Sequence, residues 1–216
     1  MILYIPIKQN SQRVPQKNFR EFDGKPLWEH TIDKLKDFEV VVDTDSEEII
    51  TKCIDKDWVL PYYRKKHLQG DDVSVVDLLK NFFDENPTDE WICQVHVTSP
   101  FLNVKHLKDL EEKSKTWVYD SAFSVDVIQN RFWRQEEYGL SPVNHNPMKL
   151  EQTQDLPPYY MENSYFYFFK TNVLELGNRI GKNPIAIPIE YPYNLDIDTE
   201  QDWDIVKSVN NTYIFK

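Results

Sequence analysis

The sequence predicts an α/β protein built on a mostly parallel sheet that is covered on both faces. Three observations carry this: short β-rich runs alternate with segments whose apolar residues recur at helical spacing, the connections between them are short, and the opening run Ile2–Ile7 is almost continuously apolar, as a strand buried on both faces is. A chain of 216 residues is long enough to give such a sheet a substantial core, and 1–216 is read as one domain.

Taken in order, residues 2–7 form the first strand and a polar loop follows. Gly24-Lys25-Pro26 punctuates the chain, and Pro26 suits the first turn of a helix that points Leu27, Ile32 and Leu35 inward. Residues 38–42 are the next strand. Asp45 or Ser46 can cap a helix carrying Ile49, Ile50 and Cys53 on one face. Residues 58–63 are extended, and 74–83 are helical with Val75, Val76, Leu79, Phe82 and Phe83 on one side. Residues 91–98 read as the central strand, stopped at Ser99-Pro100. A helix over 104–113 and a strand over 121–127 come next.

The alternation then breaks. Residues 128–160 hold Pro142, Pro147, Pro157 and Pro158 among charges and scattered aromatics, and the segment is too long for a plain connection. It is expected to be an inserted arm, serving as an interface element or an active-site lid. Regular structure resumes with a strand at 165–169, a short helix near Val173, a strand at 185–189 and a last helix capped by Thr199, with Trp203, Val206 and Val209 inward.

The net charge of −11 argues against nucleic acid as a partner, but residues 1–25 carry five cations against two acids, a local excess of +3. A positive island in an acidic protein fits a small anion; on charge alone it equally fits a solvated basic surface. Cys53 and Cys93 lack metal-ligand spacing, which argues for a reducing, cytoplasmic setting without zinc or disulfides. The N-terminus does not read as a signal peptide, and no apolar run nears the roughly 18 residues of a membrane span.

Three stretches are candidates for chemistry. The loop Lys8-Gln9-Asn10-Ser11-Gln12-Arg13-Val14-Pro15-Gln16-Lys17-Asn18 contains no glycine, so it is neither of the common glycine-rich phosphate loops. It must hold an anion with side chains, Arg13 as a fork and Lys17 as a point charge. Asp196-Ile197-Asp198 on an extended segment puts two carboxylates on one side, a pair suited to Mg²⁺ together with substrate phosphates. The same acids also suit the N-terminus of the helix that follows. His96, Thr98 and Ser99 lie at the end of the central strand, where ligands of open α/β sheets bind; His96 alone would otherwise read as a structural residue.

Together and in this order, these stretches resemble the acylneuraminate cytidylyltransferase family, the CMP-sugar synthetases that include CMP-sialate and CMP-pseudaminate synthetases. The loop is similar to the family's I-P-A-R-x-x-S-K-x-(I/L)-P-x-K-N, Gly24-Lys25-Pro26-Leu27 to its G-K-P-L, and Asp43-Thr44-Asp45-Ser46-Glu47-Glu48-Ile49 to its S-T-D-S-E-E-I. Thr98-Ser99-Pro100 resembles T-S-P, Glu162-Asn163 resembles E-N, and Asp196-Ile197-Asp198-Thr199 resembles D-I-D-T.

The resemblance implies a Rossmann-like three-layer sandwich with an inserted dimerisation arm over 128–160, and a Mg²⁺-dependent transfer of CMP from CTP to a sialic-acid-like or other sugar acid, releasing pyrophosphate. On it, Arg13 and Lys17 neutralise the triphosphate with Lys8, Asn10 and Ser11 beside them, while Asn18, Arg64 and Ser74 touch the cytidine. His96, Thr98, Ser99 and Asn163 meet the sugar, Asp196 and Asp198 hold Mg²⁺, and the working unit is a homodimer. The chain departs from the pattern at Lys8, Gln12, His96, Met161 and Ser164, several of them on the sugar side. A non-catalytic nucleotide-binding relative, or the same chemistry on a Kdo-like acid or an alditol phosphate, is the alternative expectation.

Overall fold

The computed structural model describes residues 1–212; the last four residues of the expected 1–216 unit lie outside the described part. Its strands are β1 (Ile2–Ile7), β2 (Glu21–Phe22), β3 (Lys25–Pro26), β4 (Glu39–Thr44), β5 (Val59–Tyr63), β6 (Ile92–Val95), β7 (Ser121–Ile128), β8 (Trp133–Glu136), β9 (Gly139–Pro142), β10 (Tyr159–Phe169) and β11 (Pro184–Pro188). The helices are α1 (Leu27–Asp33), α2 (Glu47–Cys53), α3 (Val75–Glu85), α4 (Val104–Ser114) and α5 (Glu200–Thr212).

Seven strands form one sheet in the order β11-β7-β10-β6-β1-β4-β5, in which β10 alone runs antiparallel to its neighbours. The mostly parallel sheet expected from the alternation is therefore present. Residue parity along each strand explains the two covered faces. Leu3, Ile5, Ile7, Val40 and Val42 pack with Trp28, Ile32, Ile49, Leu107 and Leu110 from α1, α2 and α4. Their neighbours Tyr4 and Val41, with Ile92, point the other way, onto Leu78, Leu79, Phe82 and Phe83 of α3. A third cluster, built on Phe22, Leu27, Phe101 and Ile197, receives Trp203, Val206 and Val209 of α5.

From β1 the chain builds outward through β4 and β5, then returns to lay β6 on the other side of β1. The direction of winding thus reverses between β1 and β6, and the carboxyl ends of those strands open a crevice there.

Two boundaries differ from expectation. The central strand ends at Val95, and His96 to Pro100 form a turn closed by the Ser99 amide donating to the His96 carbonyl. β10 begins at Tyr159, six residues before the expected Tyr165. The register with β7 shifts between Glu162 and Tyr167, and Ser164 there has φ 58°. The polar Glu162-Asn163-Ser164 bulge hides the first half of the strand from any apolar pattern. The irregular segment 128–160 contains the hairpin of β8 and β9, which pair only with each other, so the hairpin lies outside the main sheet.

Candidate active site

The loop after β1 is held by its own polar groups. Val14 is fully buried and plugs it onto the core. The Lys17 amide donates to the Val14 carbonyl, Gln16 takes a left-handed conformation (φ 55°), and the turn continues as a short 3₁₀ helix, Lys17–Phe19. Asn18, itself buried, donates from Nδ2 to the Lys8 carbonyl at 2.8 Å and so ties the two ends of the loop together. At the near end the Gln9 amide donates to Asp45 at 2.7 Å, and Lys8 donates from Nζ to the Gly70 carbonyl at 2.7 Å. At the far end Arg20 forks onto Glu200 with bonds of 2.6 and 2.7 Å while lying over the Trp203 ring. These ties fix one backbone path for a loop that contains no glycine.

The DIDT segment arrives from the opposite end of the sequence. The Ile197 amide donates to the Thr98 carbonyl at 3.0 Å, which docks the segment against the turn after β6, and Ile197 is wholly buried beneath it. The alternating sides predicted for an extended segment follow, with Asp196 and Asp198 both lining the cleft. Asp202 accepts from the Asp198 and Thr199 amides and the Thr199 hydroxyl, while its own amide donates to Thr199 Oγ1, closing a capping box on α5.

The resulting cleft has a volume of about 380 Å³. Its walls include Lys8, Asn10, Ser11, Arg13, Lys17 and Asn18 from the loop, His96 and Thr98 after β6, and the two aspartates. Asp71, Gln12 and Ser164 also face it. Arg13 donates from Nη2 to Asp198 Oδ1 at 2.7 Å, and Lys17 Nζ lies 3.5 Å from the same oxygen while bonding the Ile197 carbonyl. Asp196 is more enclosed. Burial, reinforced by the nearby Asp198 charge, raises its pKa above the usual carboxylate range, against the opposing pull of a Thr98 hydrogen bond and Lys17. Its Oδ1 is buried without a protein hydrogen-bond partner. Burial and the Arg179 and Lys17 charges lower the His96 pKa to about 4, with Asp198 opposing.

Other expected residues are placed differently. Arg64 is 1% exposed and does not line the cleft: its Nε donates to Asp43 Oδ1 at 2.7 Å and its Nη2 to the Asp43 carbonyl at 3.0 Å. Ser74 caps α3, its hydroxyl exchanging hydrogen bonds with Asp77. Ser99 is buried with an unpartnered hydroxyl, and Asn163 donates to Asp126, which also accepts from Asn194. None of these four lines the cleft. Gln94 and Arg179, which join His96, were not expected. Gln94 is visible in hindsight, because it lies two residues before His96 on one face of a strand, whereas Arg179 comes from a coil with no local signal.

The model of the cytidylyltransferase family matches residues 2–213. The chain is a member of that family. It is 30% identical over 206 residues to N-acylneuraminate cytidylyltransferase A of Danio rerio, spanning 91% of this chain but only 47% of that protein. It is also 30% identical to the pseudaminic acid cytidylyltransferase of Campylobacter jejuni, covering 94% of this chain and 93% of the relative. The fold matches a CMP:2-keto-3-deoxy-manno-octonic acid synthetase complexed with CTP (TM-score 0.66, 13% identity, 98% of each chain). It also matches a 4-diphosphocytidyl-2C-methyl-D-erythritol synthase (TM-score 0.65, 15% identity, 96% of this chain and 97% of the other). The chain thus shares the Rossmann-like architecture that the resemblance implied.

Proposed function

We propose that the chain transfers CMP from CTP to the hydroxyl of a sialic-acid-like or pseudaminate-like sugar acid, releasing pyrophosphate. One observation carries the reading: Arg13 and Lys17 meet Asp196 and Asp198 across one cleft, although about 180 residues separate them. Two cations and two acids, with small polar groups between, suit a triphosphate and a divalent ion. The names of the relatives support CTP as donor and a sugar acid as acceptor.

The donor set fits Mg²⁺. Asp196 Oδ1 is buried in need of a partner, and Asp198 points into the same space. Two carboxylates would leave the remaining positions of such a cation to substrate phosphates. Asp196 and Asp198 would hold it, and it would supply charge neutralisation at the phosphates. Arg13 and Lys17 orient the triphosphate and offset the charge that builds on the leaving pyrophosphate; no covalent nucleophile is needed for an in-line displacement. The acceptor hydroxyl attacks the α-phosphorus, the bond to the β-phosphate oxygen breaks, and the hydroxyl proton leaves to solvent or an acceptor oxygen. Asn18 binds on the nucleoside side and Lys8 beside the triphosphate; His96 and Thr98 face the sugar.

Oligomeric state belongs to the same proposal. The 128–160 arm exposes Trp133, Tyr138, Leu140, Met148 and Leu150, an apolar cover suited to a second copy of the chain. Two buried free cysteines, and no helix among the described residues long and apolar enough to cross a membrane, support a cytoplasmic protein. The test is pyrophosphate release from CTP across a panel of sugar acids. Release with a sialic-acid-like acceptor is expected, and no release with any nucleoside triphosphate and any acceptor overturns the reading.

A further inference from the structure

Arg179 lies in the coil before β11, yet its Nη1 donates to Oε1 of the wholly buried Gln94 at 2.6 Å. The guanidinium is fixed from its other side by stacking over Tyr167, 3.6 Å from the ring centroid, and the Tyr167 hydroxyl donates to Glu162 at 2.9 Å. A guanidinium carries donors only, so the Gln94 atom it meets is the amide oxygen, and the NH₂ group must point the other way. There Gln94 Nε2 stands 2.8 Å from His96 Nε2. An amide NH₂ only donates, so that ring nitrogen carries a lone pair and the proton sits on Nδ1. The imidazole lines the cleft beside Thr98.

We propose that Arg179, acting through Gln94, fixes His96 as its Nδ1–H tautomer, so that the cleft offers a neutral hydrogen-bond donor to an oxygen of the acceptor. The identity of that acceptor as a sugar acid rests on the reading above; the relay does not. Arg179 and Gln94 are positioning residues, and His96 is the group that touches substrate. A donor held by the buried Gln94, itself fixed by Arg179, discriminates by geometry: an acceptor lacking the matching oxygen leaves the N–H unpaired. Burial, reinforced by the Arg179 and Lys17 charges and opposed by Asp198, lowers the His96 pKa to about 4, which favours the neutral ring.

The test is ring-nitrogen NMR on the ¹⁵N-labelled full chain, with His96→Gln to assign the signals, and steady-state kinetics alongside. A pyrrole-like Nδ1 and a pyridine-like Nε2 are expected in the ligand-free protein. Gln94→Glu replaces the donor by a carboxylate and should move the proton to Nε2. Arg179→Met, at a partly exposed position, should mix the tautomers and raise KM for the sugar acid about tenfold while KM for CTP stays unchanged. A pyridine-like Nδ1 in the wild type, or unchanged ring shifts and unchanged sugar-acid KM in Arg179→Met, overturns the proposal. Absence of turnover with every acceptor would overturn the cytidylyl-transfer reading instead, and the ring spectrum would still decide the relay.

Discussion

Replacing Asp43 with asparagine is expected to destabilise the protein by about 3–5 kcal/mol, the cost of breaking a buried ion pair from one side. Asp43 and Arg64 are each 1% exposed, with the Arg64 Nε 2.7 Å from Oδ1 and the Tyr4 hydroxyl donating to Oδ2. Burial raises the Asp43 pKa while the Arg64 charge pulls it down. Asparagine removes the charge that balances the guanidinium and sets an N–H₂ opposite a donor, so Arg64 becomes an uncompensated buried cation. By contrast Lys108–Asp37, half exposed on both sides, is a screened surface pair that adds little. At about 2–4 °C per kcal/mol for a chain of this size, the Asp43→Asn melting point should fall by roughly 6–20 °C. Urea unfolding followed by circular dichroism checks this, with Arg64→Met and the double variant closing a cycle. The double variant should lose clearly less than the two singles together, because both charges are gone. A midpoint shift worth under about 1 kcal/mol in Asp43→Asn, or additive losses in the cycle, would refute the pairing argument. If Arg64→Met instead kept full stability and lost CTP affinity, Arg64 would be a nucleotide ligand and not a structural cation.

Asp198→Asn should lower pyrophosphate release at least about a hundredfold, while the unfolding midpoint moves by no more than about 1 kcal/mol because its ion pairs are partly exposed; near-normal turnover would remove Asp198 from the metal site. Arg20→Ala, which loses the fork on Glu200 and the cover on Trp203, should cost about 1 kcal/mol in urea unfolding and weaken CTP binding by loosening the loop. His30 and His96 both have folded pKa values lowered to about 4 from 6.5, so unfolding takes up protons between those values. Stability is then full above about pH 6.5 and declines as pH falls towards 4, and His30→Gln should flatten that acid limb in a pH series of melting curves. On the proposal that the arm joins two copies, the parent chain should sediment as a dimer and Leu140→Asp in the β8–β9 hairpin as a monomer, with the fold unchanged by circular dichroism.

Much of the architecture was legible because parallel strands bury both faces. Ile2–Ile7 and Glu39–Thr44 announce themselves by composition alone, and the caps at Ser46 and Thr199 are local chemistry, whereas Ser74, expected at the cytidine, caps α3. The loop cations and the aspartate pair were legible for a related reason: Arg13, Lys17, Asp196 and Asp198 sit in short motifs whose spacing sets their direction. What the sequence hid depends on contacts between distant segments. Arg64 is as polar as Arg13, but only the fold reveals that Asp43 claims it within the core. The first half of β10 pairs with β7 despite Glu162-Asn163-Ser164, and Arg179 reaches Gln94 across 85 residues of chain.

In the cleft Arg13 and Lys17 both lie against Asp198. A triphosphate arriving alone must compete with that carboxylate for the cations, and a divalent ion arriving alone must compete with the cations for the carboxylate. Arriving together, they let every charge exchange one partner for another, so each ligand prepays the other's cost of entry. Under the proposed function nucleotide and metal would therefore be heterotropically linked, and by reciprocity whatever factor one added to the affinity of the other would be returned in full.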